Sequence, residues 1–180
     1  DLFKNIPSTV KKVADLQQYK AVSSQTSLHS VSKEGIISLD ICQQNPNRIL
    51  TGGMDHNAVV YDKQNEEIVS VLKGHNKKVN CVNFINENTV VTASVDSQIR
   101  IWNIDSSTTK KVVHAHEGPI SSISVHPSSQ YILSTSNDEQ WAFSDIETGR
   151  VLLKMGENEE HASLNIARFH PDGSLLATGS

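Results

Sequence analysis

Thr51-Gly52-Gly53-Met54-Asp55 is a phrase that the chain repeats, as Thr92-Ala93-Ser94-Val95-Asp96 and as Ser134-Thr135-Ser136-Asn137-Asp138, and begins again at Thr178-Gly179-Ser180. The Asp that closes the phrase recurs after 41 residues and then after 42. A fixed period of this length indicates one supersecondary unit copied along the chain.

Apolar residues on both sides of the phrase keep the same period. Four runs open at Ile36, Val79, Ile120 and Leu164, and in each run the third and fifth following residues are also apolar or small. This alternation predicts a half-buried strand, and the phrase itself predicts a second one. Two further segments complete each unit, with third strands at 58–62, 99–104 and 141–146 and outer strands at 68–72, 111–114 and 151–155.

Four short strands per period are the architecture of a β-propeller blade, and a period of about 40 to 45 residues is that of WD40 repeats. We therefore predict an all-β fold, an incomplete WD40 β-propeller with three blades and the start of a fourth, over residues 29–180. The blades are predicted at 29–73, 74–114, 115–156 and 157–180. Residues 1–28 fall outside the period and predict a linker, in which residues 19–24 could form a strand that closes the ring.

Composition narrows the class of protein. The net charge is −4, which gives no chain-wide reason to bind nucleic acid or an acidic membrane surface. The two cysteines, Cys42 and Cys81, are too few for a disulfide framework and predict small buried hydrophobic residues. The sequence shows no secretory signal and no apolar run long enough for a membrane span. It has no initiator Met and stops within an apolar segment, so we interpret it as part of a longer protein.

Histidines also follow the repeat. His75 and His116 are 41 residues apart, each shortly before a first strand, and His29 and His161 occupy looser versions of the same place. In WD40 blades such a His belongs to a buried hydrogen-bond chain, which predicts the set His75, Asp96, Ser94 and Trp102 in the second unit. A buried polar set must be fully hydrogen-bonded to stabilise a fold.

The set changes from unit to unit. The first unit has Asp55 but places Tyr61 at the position of Trp102 and Gly53 at that of Ser94. The third unit keeps His116, Ser136 and Asp138 but has Ser144 at the Trp position, with Trp141 three residues earlier. We therefore expect the third blade to be tied together less rigidly.

The segment His114-Ala115-His116-Glu117 raises an alternative, since imidazole and carboxylate groups bind zinc. A metal-dependent hydrolase could use His114, His116 and Glu117. The repeat favours the structural interpretation of His116, and we predict no metal, no cofactor and no catalytic residues. No nucleophile elbow, zinc-protease motif or phosphate-binding Gly-rich loop occurs in the sequence.

The remaining candidates for function are surface residues. The top of each blade should bring the His-bearing loop and the Asp turn together, which would expose Met54, Val95 and Asn137 as partner contacts. Two lysine pairs, Lys77-Lys78 and Lys110-Lys111, predict solvated charges that guard edge strands, with a phosphate-binding patch as the alternative.

Three segments resemble one particular family of propellers. They are ILTGGMDHNAVVYDK at 49–63, LKGHNKKV at 72–79 and, most specifically, QWAFSDIETGRVLLK at 140–154, in which Trp141 to Ile146 departs from the ordinary WD dipeptide. The sequence is similar here to the C-terminal propeller of the pre-mRNA-processing factor nineteen family, ubiquitin ligases at the core of a spliceosomal complex. The similarity runs from about Ile36 to the end, with a weaker match at 3–7.

The resemblance implies a nuclear protein with a seven-bladed propeller, a catalytic U-box and a coiled coil that forms homotetramers, the last two lying outside this sequence. It also implies that the propeller binds splicing proteins or ubiquitylation substrates rather than nucleic acid or membrane. The alternative is a WD40 adaptor of another nuclear or cytosolic complex, which would lack the phrase at 141–146.

Overall fold

The computed structural model describes residues 16–21, 23–33, 35–156 and 163–180. Within these residues the chain forms strands connected by short turns. The strands are β1 (Ile36–Ile41), β2 (Arg48–Gly53), β3 (Ala58–Asp62), β4 (Glu67–Leu72), β5 (Val79–Asn86), β6 (Thr89–Ser94), β7 (Ile99–Asn103), β8 (Thr108–Val113), β9 (Ile120–Val125), β10 (Tyr131–Ser136), β11 (Gln140–Asp145), β12 (Val151–Gly156), β13 (Ile166–Phe169) and β14 (Leu176–Gly179).

Each repeat forms its own antiparallel sheet with the strands in chain order. We call β1–β4 blade 1, β5–β8 blade 2 and β9–β12 blade 3, and β13 and β14 form a two-stranded fourth unit. The first strands of successive units, β1, β5, β9 and β13, pack against one another. The fold is therefore the predicted all-β WD40 propeller architecture, incomplete within this chain.

The second strand of a blade shows why the sequence folds in this way. Val90 and Val91 are both fully buried, but Val90 belongs to the apolar cluster shared with blade 1 and Val91 to the cluster shared with blade 3. Successive side chains of a strand point to opposite faces, so the core lies between blades rather than within one. Trp102 is the largest fully buried side chain and packs between blades 1 and 2.

Side chains on the first strands also join neighbouring blades through the backbone. Ser38 Oγ accepts the N–H of Val82 at 3.1 Å, and Asp40 Oδ2 accepts the N–H of Phe84 at 2.7 Å. Ser124 Oγ accepts the N–H of Phe169 in the same way, at 3.2 Å. These bonds give partners to backbone N–H groups of β5 and β13. Both strands lie at the edge of their sheets, so no other strand pairs with them on the side that faces the preceding blade.

Two features differ from the predicted strands. The first strand of the fourth unit begins at Ile166 rather than Leu164, which is buried just before the strand. Leu39 and Ile41, predicted to face the core, are 58% and 49% exposed. Their equivalents in blade 2, Val82 and Phe84, pack against blade 1. None of the described residues form a blade that packs in the same way against β1, on the side that faces away from blade 2.

The predicted linker contributes little to the fold where it can be seen. Residues 1–15 and 22 lie outside the described residues, and the described residues of 19–24 form no strand and are exposed. A lone strand is stable only when it pairs with another edge, so the ring-closing strand stays a prediction. The described residues contain no helix that is long and apolar enough to cross a membrane.

Candidate functional site: the loops tied to the blade tops

A continuous hydrogen-bond chain crosses the top of blade 2. The indole Nε1–H of Trp102 donates to Thr92 Oγ1 at 2.8 Å, and Thr92 Oγ1 lies 2.7 Å from His75 Nε2. The ionised Asp96 can only accept, so Nδ1–H of His75 donates to it at 2.9 Å, and Nε2 of the neutral imidazole accepts the Thr92 O–H. Every polar atom of this buried chain therefore has a partner.

Thr92, rather than the predicted Ser94, is the hydroxyl between Trp102 and His75. Ser94 lies two residues further along the strand, where its Oγ–H donates to the carbonyl of Lys77 at 3.1 Å and its oxygen accepts the N–H of Asp96. Ser136 has the same role in blade 3, bonded to the carbonyl of Pro119 and the N–H of Asp138. The predicted serines thus shape the turn and do not contact the histidine.

Blade 3 has the same hydrogen-bond chain, but no aromatic residue occupies the position that Trp102 has in blade 2. His116 Nδ1 lies 3.1 Å from Asp138, and His116 Nε2 lies 2.8 Å from Ser134 Oγ. Ser144 pairs with Ile132 just as Trp102 pairs with Val90, so it does occupy the Trp position. Its buried Oγ has no hydrogen-bond partner. The lower rigidity expected of blade 3 stays a prediction.

Blade 1 uses His29 for the same purpose. His29 Nδ1 lies 2.8 Å from Asp55, and Nε2 lies 2.9 Å from Thr51 Oγ1. Tyr61 is buried at the Trp position, but its hydroxyl reaches Gln25 at 3.5 Å and not Thr51. The sequence signal for Thr51, Thr92 and Ser134 was present, since a hydroxyl residue opens every copy of the repeated phrase.

The turn Asp fastens two loops of each blade together. Asp96 accepts the N–H of Asn76, which follows His75, and the N–H of Gln98 beyond the turn. Burial alone would raise the pKa of Asp96, but these bonds and the one from His75 outweigh it and lower the pKa. The corresponding bonds to Asp55 outweigh burial to hold its pKa at about 2. An ionised carboxylate therefore clamps the top loops.

The residue after each Asp takes a left-handed backbone conformation. His56, Ser97 and Glu139 have φ of 70°, 67° and 66°. This conformation is uncommon for residues other than Gly, and it recurs at the same place in each blade. The turn therefore has one geometry throughout, which places the residue before the Asp at the surface in the same way each time.

The geometry gives no support to a hydrolase. Both ring nitrogens of His116 are engaged, by Asp138 and by Ser134, while His114 is exposed. No three His, Cys, Asp or Glu side chains gather as a metal site in the described part of the chain. Burial raises the pKa of Cys81 to about 11, and its Sγ–H donates to the carbonyl of Ser121. A thiol with so high a pKa is a poor nucleophile.

The candidate partner contacts occupy equivalent positions but do not form one group. The N–H groups of Met54, Val95 and Asn137 donate to the carbonyls of Gly35, Lys78 and Pro119, respectively. Met54 and Val95 line one depression of about 420 Å³ together with Lys33, His56, Lys77 and Lys78. Asn137 is exposed at the top of blade 3, outside this depression.

The two lysine pairs lie in different settings. Lys110 and Lys111 are in β8, the outermost strand of blade 2, which fits the predicted protection of an edge. Lys77 and Lys78 instead precede β5 in the top loop that carries His75. Because β5 is the inner edge strand of the same sheet, the edge interpretation of Lys77 and Lys78 stays a prediction.

Comparison with known proteins agrees with this architecture. The family model described as "WD domain, G-beta repeat" (WD40) matches residues 66–103 and 107–141. The chain is 46% identical over 178 residues to Pre-mRNA-processing factor 19 of Bos taurus, and 40% identical over 179 residues to that of Caenorhabditis elegans. Both alignments cover 98% of this chain. They cover 35% of the Bos taurus protein and 36% of the Caenorhabditis elegans protein.

WD40 repeats and 46% identity across 98% of this chain support its assignment to the pre-mRNA-processing factor 19 family. A plant relative, Pre-mRNA-processing factor 19 homolog 2 of Arabidopsis thaliana, is 34% identical over 181 residues, again across 98% of this chain and 34% of its own length. The chain thus spans about a third of the length of these relatives. The resemblance of the three segments quoted above is confirmed at the level of the family.

Proposed function

We propose that this chain is part of a protein-binding propeller that acts in pre-mRNA processing. The observation that carries the proposal is the clamping of two loops by one buried His–Asp pair in each blade, at 2.8 Å in blade 1, 2.9 Å in blade 2 and 3.1 Å in blade 3. Loops held on a rigid scaffold are common sites of binding. The name of the relatives, pre-mRNA-processing factor, supports pre-mRNA processing as the process in which the partners act.

In its finer form, the proposal is that the propeller serves a spliceosome-associated ubiquitin ligase in the nucleus. It would hold splicing proteins or ubiquitylation substrates while the transfer chemistry takes place on a U-box outside this chain. A coiled coil, also outside this chain, would assemble homotetramers. The similarity to relatives about three times as long supports the presence of such further parts in the assembly.

Met54, Val95 and Asn137 are the proposed contact positions. Met54 is a large apolar residue, and its side chain is 41% exposed. Binding surfaces are enriched in such accessible apolar side chains surrounded by polar ones. The three residues share one turn geometry, so a partner could contact neighbouring blades in register.

Affinity purification of the full-length protein from nuclear extract, followed by quantitative mass spectrometry, tests the proposal. We expect co-purified proteins to be dominated by pre-mRNA-processing factors, and their recovery to survive nuclease treatment. Recovery of an unrelated signalling or membrane-receptor complex in their place would contradict it. The finer proposal further requires the purified assembly to transfer ubiquitin to at least one co-purified protein.

A further inference from the structure

The top of the junction between blades 1 and 2 holds an apolar patch surrounded by positive charge. Met54 comes from the turn of blade 1 and Val95 from the turn of blade 2, and both line the same depression. The other described residues that line it are basic or imidazole side chains, namely Lys33, His56, Lys77 and Lys78. No Asp or Glu is among its described lining residues.

The lysines at this junction are available to a partner. Lys33, Lys77 and Lys78 are exposed. The ammonium of Lys33 lies 3.3 Å from His56 Nε2, whereas the ammonium groups of Lys77 and Lys78 make no hydrogen bond or ion pair within the described residues. No carboxylate of the described residues therefore lies within ion-pair distance of these two ammonium groups.

The corresponding loop of blade 3 lacks these lysines. The loop of blade 3 that corresponds to Lys77 and Lys78 contains Glu117, Gly118 and Pro119, and it lies beside Asn137. The chain as a whole has a net charge of −4. The depression is thus a local basic site on an acidic molecule, which matters because complementary charge on a partner steers its association and fixes its orientation.

We propose that this depression binds an acidic segment of a partner protein, with one apolar side chain of the segment seated against Met54 and Val95 and its carboxylates paired with Lys33, Lys77 and Lys78. The inference rests on the proposed role as a protein-binding propeller and names the chemistry of one partner. An apolar centre with a charged rim is the usual arrangement of a protein interface. Single-stranded nucleic acid instead favours aromatic stacking platforms, and no Phe, Tyr or Trp is among the described lining residues.

Fluorescence anisotropy with the full-length protein tests the proposal. The probe is a fluorescein-labelled peptide of sequence EDELDED. Its comparisons are EDESDED, which lacks the apolar side chain, KRKLKRK, which reverses the charge, and a labelled oligouridine RNA. The protein variants are K77E/K78E and M54S, with K110E/K111E as the matched control, because it makes the same charge change on an outer strand away from the depression.

We expect EDELDED to bind about tenfold more weakly to K77E/K78E and about fivefold more weakly to M54S, with K110E/K111E unchanged. EDESDED should bind more weakly than EDELDED, and KRKLKRK should not bind. Equal binding of EDELDED to all the variants, or no saturable binding to the folded wild type, would overturn the proposal. Tighter binding of oligouridine that is lost in K77E/K78E would assign the site to nucleic acid and overturn it as well.

The two proposals can fail separately. If K77E/K78E and M54S still co-purify with all pre-mRNA-processing proteins while the peptide fails to bind, the acidic-segment site is wrong and the propeller's proposed role stands. All substituted side chains are exposed, so circular dichroism melts should match those of the wild type and show that the variants are folded.

Discussion

Trp102 is the largest fully buried side chain of the described residues, and it donates a hydrogen bond to Thr92. We expect Trp102→Ala to destabilise the protein by about 3 to 5 kcal/mol, since it leaves a cavity between blades 1 and 2. Lys78→Ala changes an exposed side chain and should lie within about 0.5 kcal/mol of the wild type. Denaturant melts of the full-length protein measure both values. Equal shifts in the two variants would contradict the assigned core.

The hydroxyl of Thr92 can be tested apart from its volume. Thr92→Val keeps the side-chain shape but leaves the Trp102 indole N–H and His75 Nε2 buried without partners, which costs about 1 to 3 kcal/mol for each such group. Ser94→Ala removes only turn bonds and should cost less. Thermal melts decide between them, and a larger loss in Ser94→Ala would restore the serine as the central hydroxyl.

The repeat predicts some of the hydrogen-bond partners from the sequence but not all of them. The pairing of His75 with Asp96 and of His116 with Asp138 follows from their shared period. The choice between Thr92 and Ser94 does not, because residues two apart on a strand face the same side and both are hydroxyl residues. Only their distances from Trp102 and His75 distinguish them.

At the scale of the elements, the His–Asp clamps make the top loops sensitive to acid. Burial lowers the pKa of His75 and His116 from the ordinary value of 6.5, despite the opposing effect of Asp96 and Asp138. Below about pH 6.5 the unfolded chain therefore binds more protons than the folded one, so stability falls as pH falls. The lowered pKa of Asp55, Asp96 and Asp138 adds a second loss below about pH 3.8.

We expect the melting temperature to decrease from pH 7 to pH 5, and the decrease to be shallower in His75→Gln/His116→Gln. His114→Gln is the control, since His114 is exposed and lies two residues from His116. Thermal scans at several pH values provide the measurement. If the melting temperature of the double variant fell with pH as steeply as that of the wild type, the His–Asp pairs would not be the cause of the pH dependence.

Strand positions were largely predictable because alternation of side chains and the recurrence of the phrase agree in each unit. The unexpected exposure of apolar residues on β1 has one cause. Leu39 and Ile41 alternate correctly along β1, yet they are exposed, since burial depends on a neighbouring blade rather than on the strand itself. Periodicity identifies which face of a strand is apolar but not whether another element covers it.

At the scale of the molecule, blades need neighbours on both faces. Ile36, Leu39 and Ile41 are exposed on β1, and Leu152 and Met155 are exposed on β12. Residues 1–180 expressed alone should therefore associate or aggregate, because open faces and strand edges recruit other chains. A protein extended by further blades and lacking the proposed coiled coil should be monomeric. Analytical ultracentrifugation compares the two, and a monomeric, sharply melting 180-residue chain would contradict this account of the blades.

The basic depression could not be predicted from the sequence in this way. Its residues come from the loops of two repeats, and the position of Lys77 and Lys78 relative to Met54 depends on how blades 1 and 2 pack side by side. The repeat located Met54, Val95 and Asn137 as equivalent turn residues. It gave no means of separating the first two from the third.

The central claim is that loops on the blade tops bind the partner proteins, and simultaneous substitution of Met54, Val95 and Asn137 tests it most directly. The full-length wild type and a M54S/V95S/N137A variant are purified from nuclear extract, and co-purified pre-mRNA-processing proteins are quantified by mass spectrometry, with K110E/K111E as the control. We predict that recovery of at least one partner falls about tenfold in the triple variant and stays unchanged in the control. Undiminished recovery of every partner by a folded triple variant would contradict the claim.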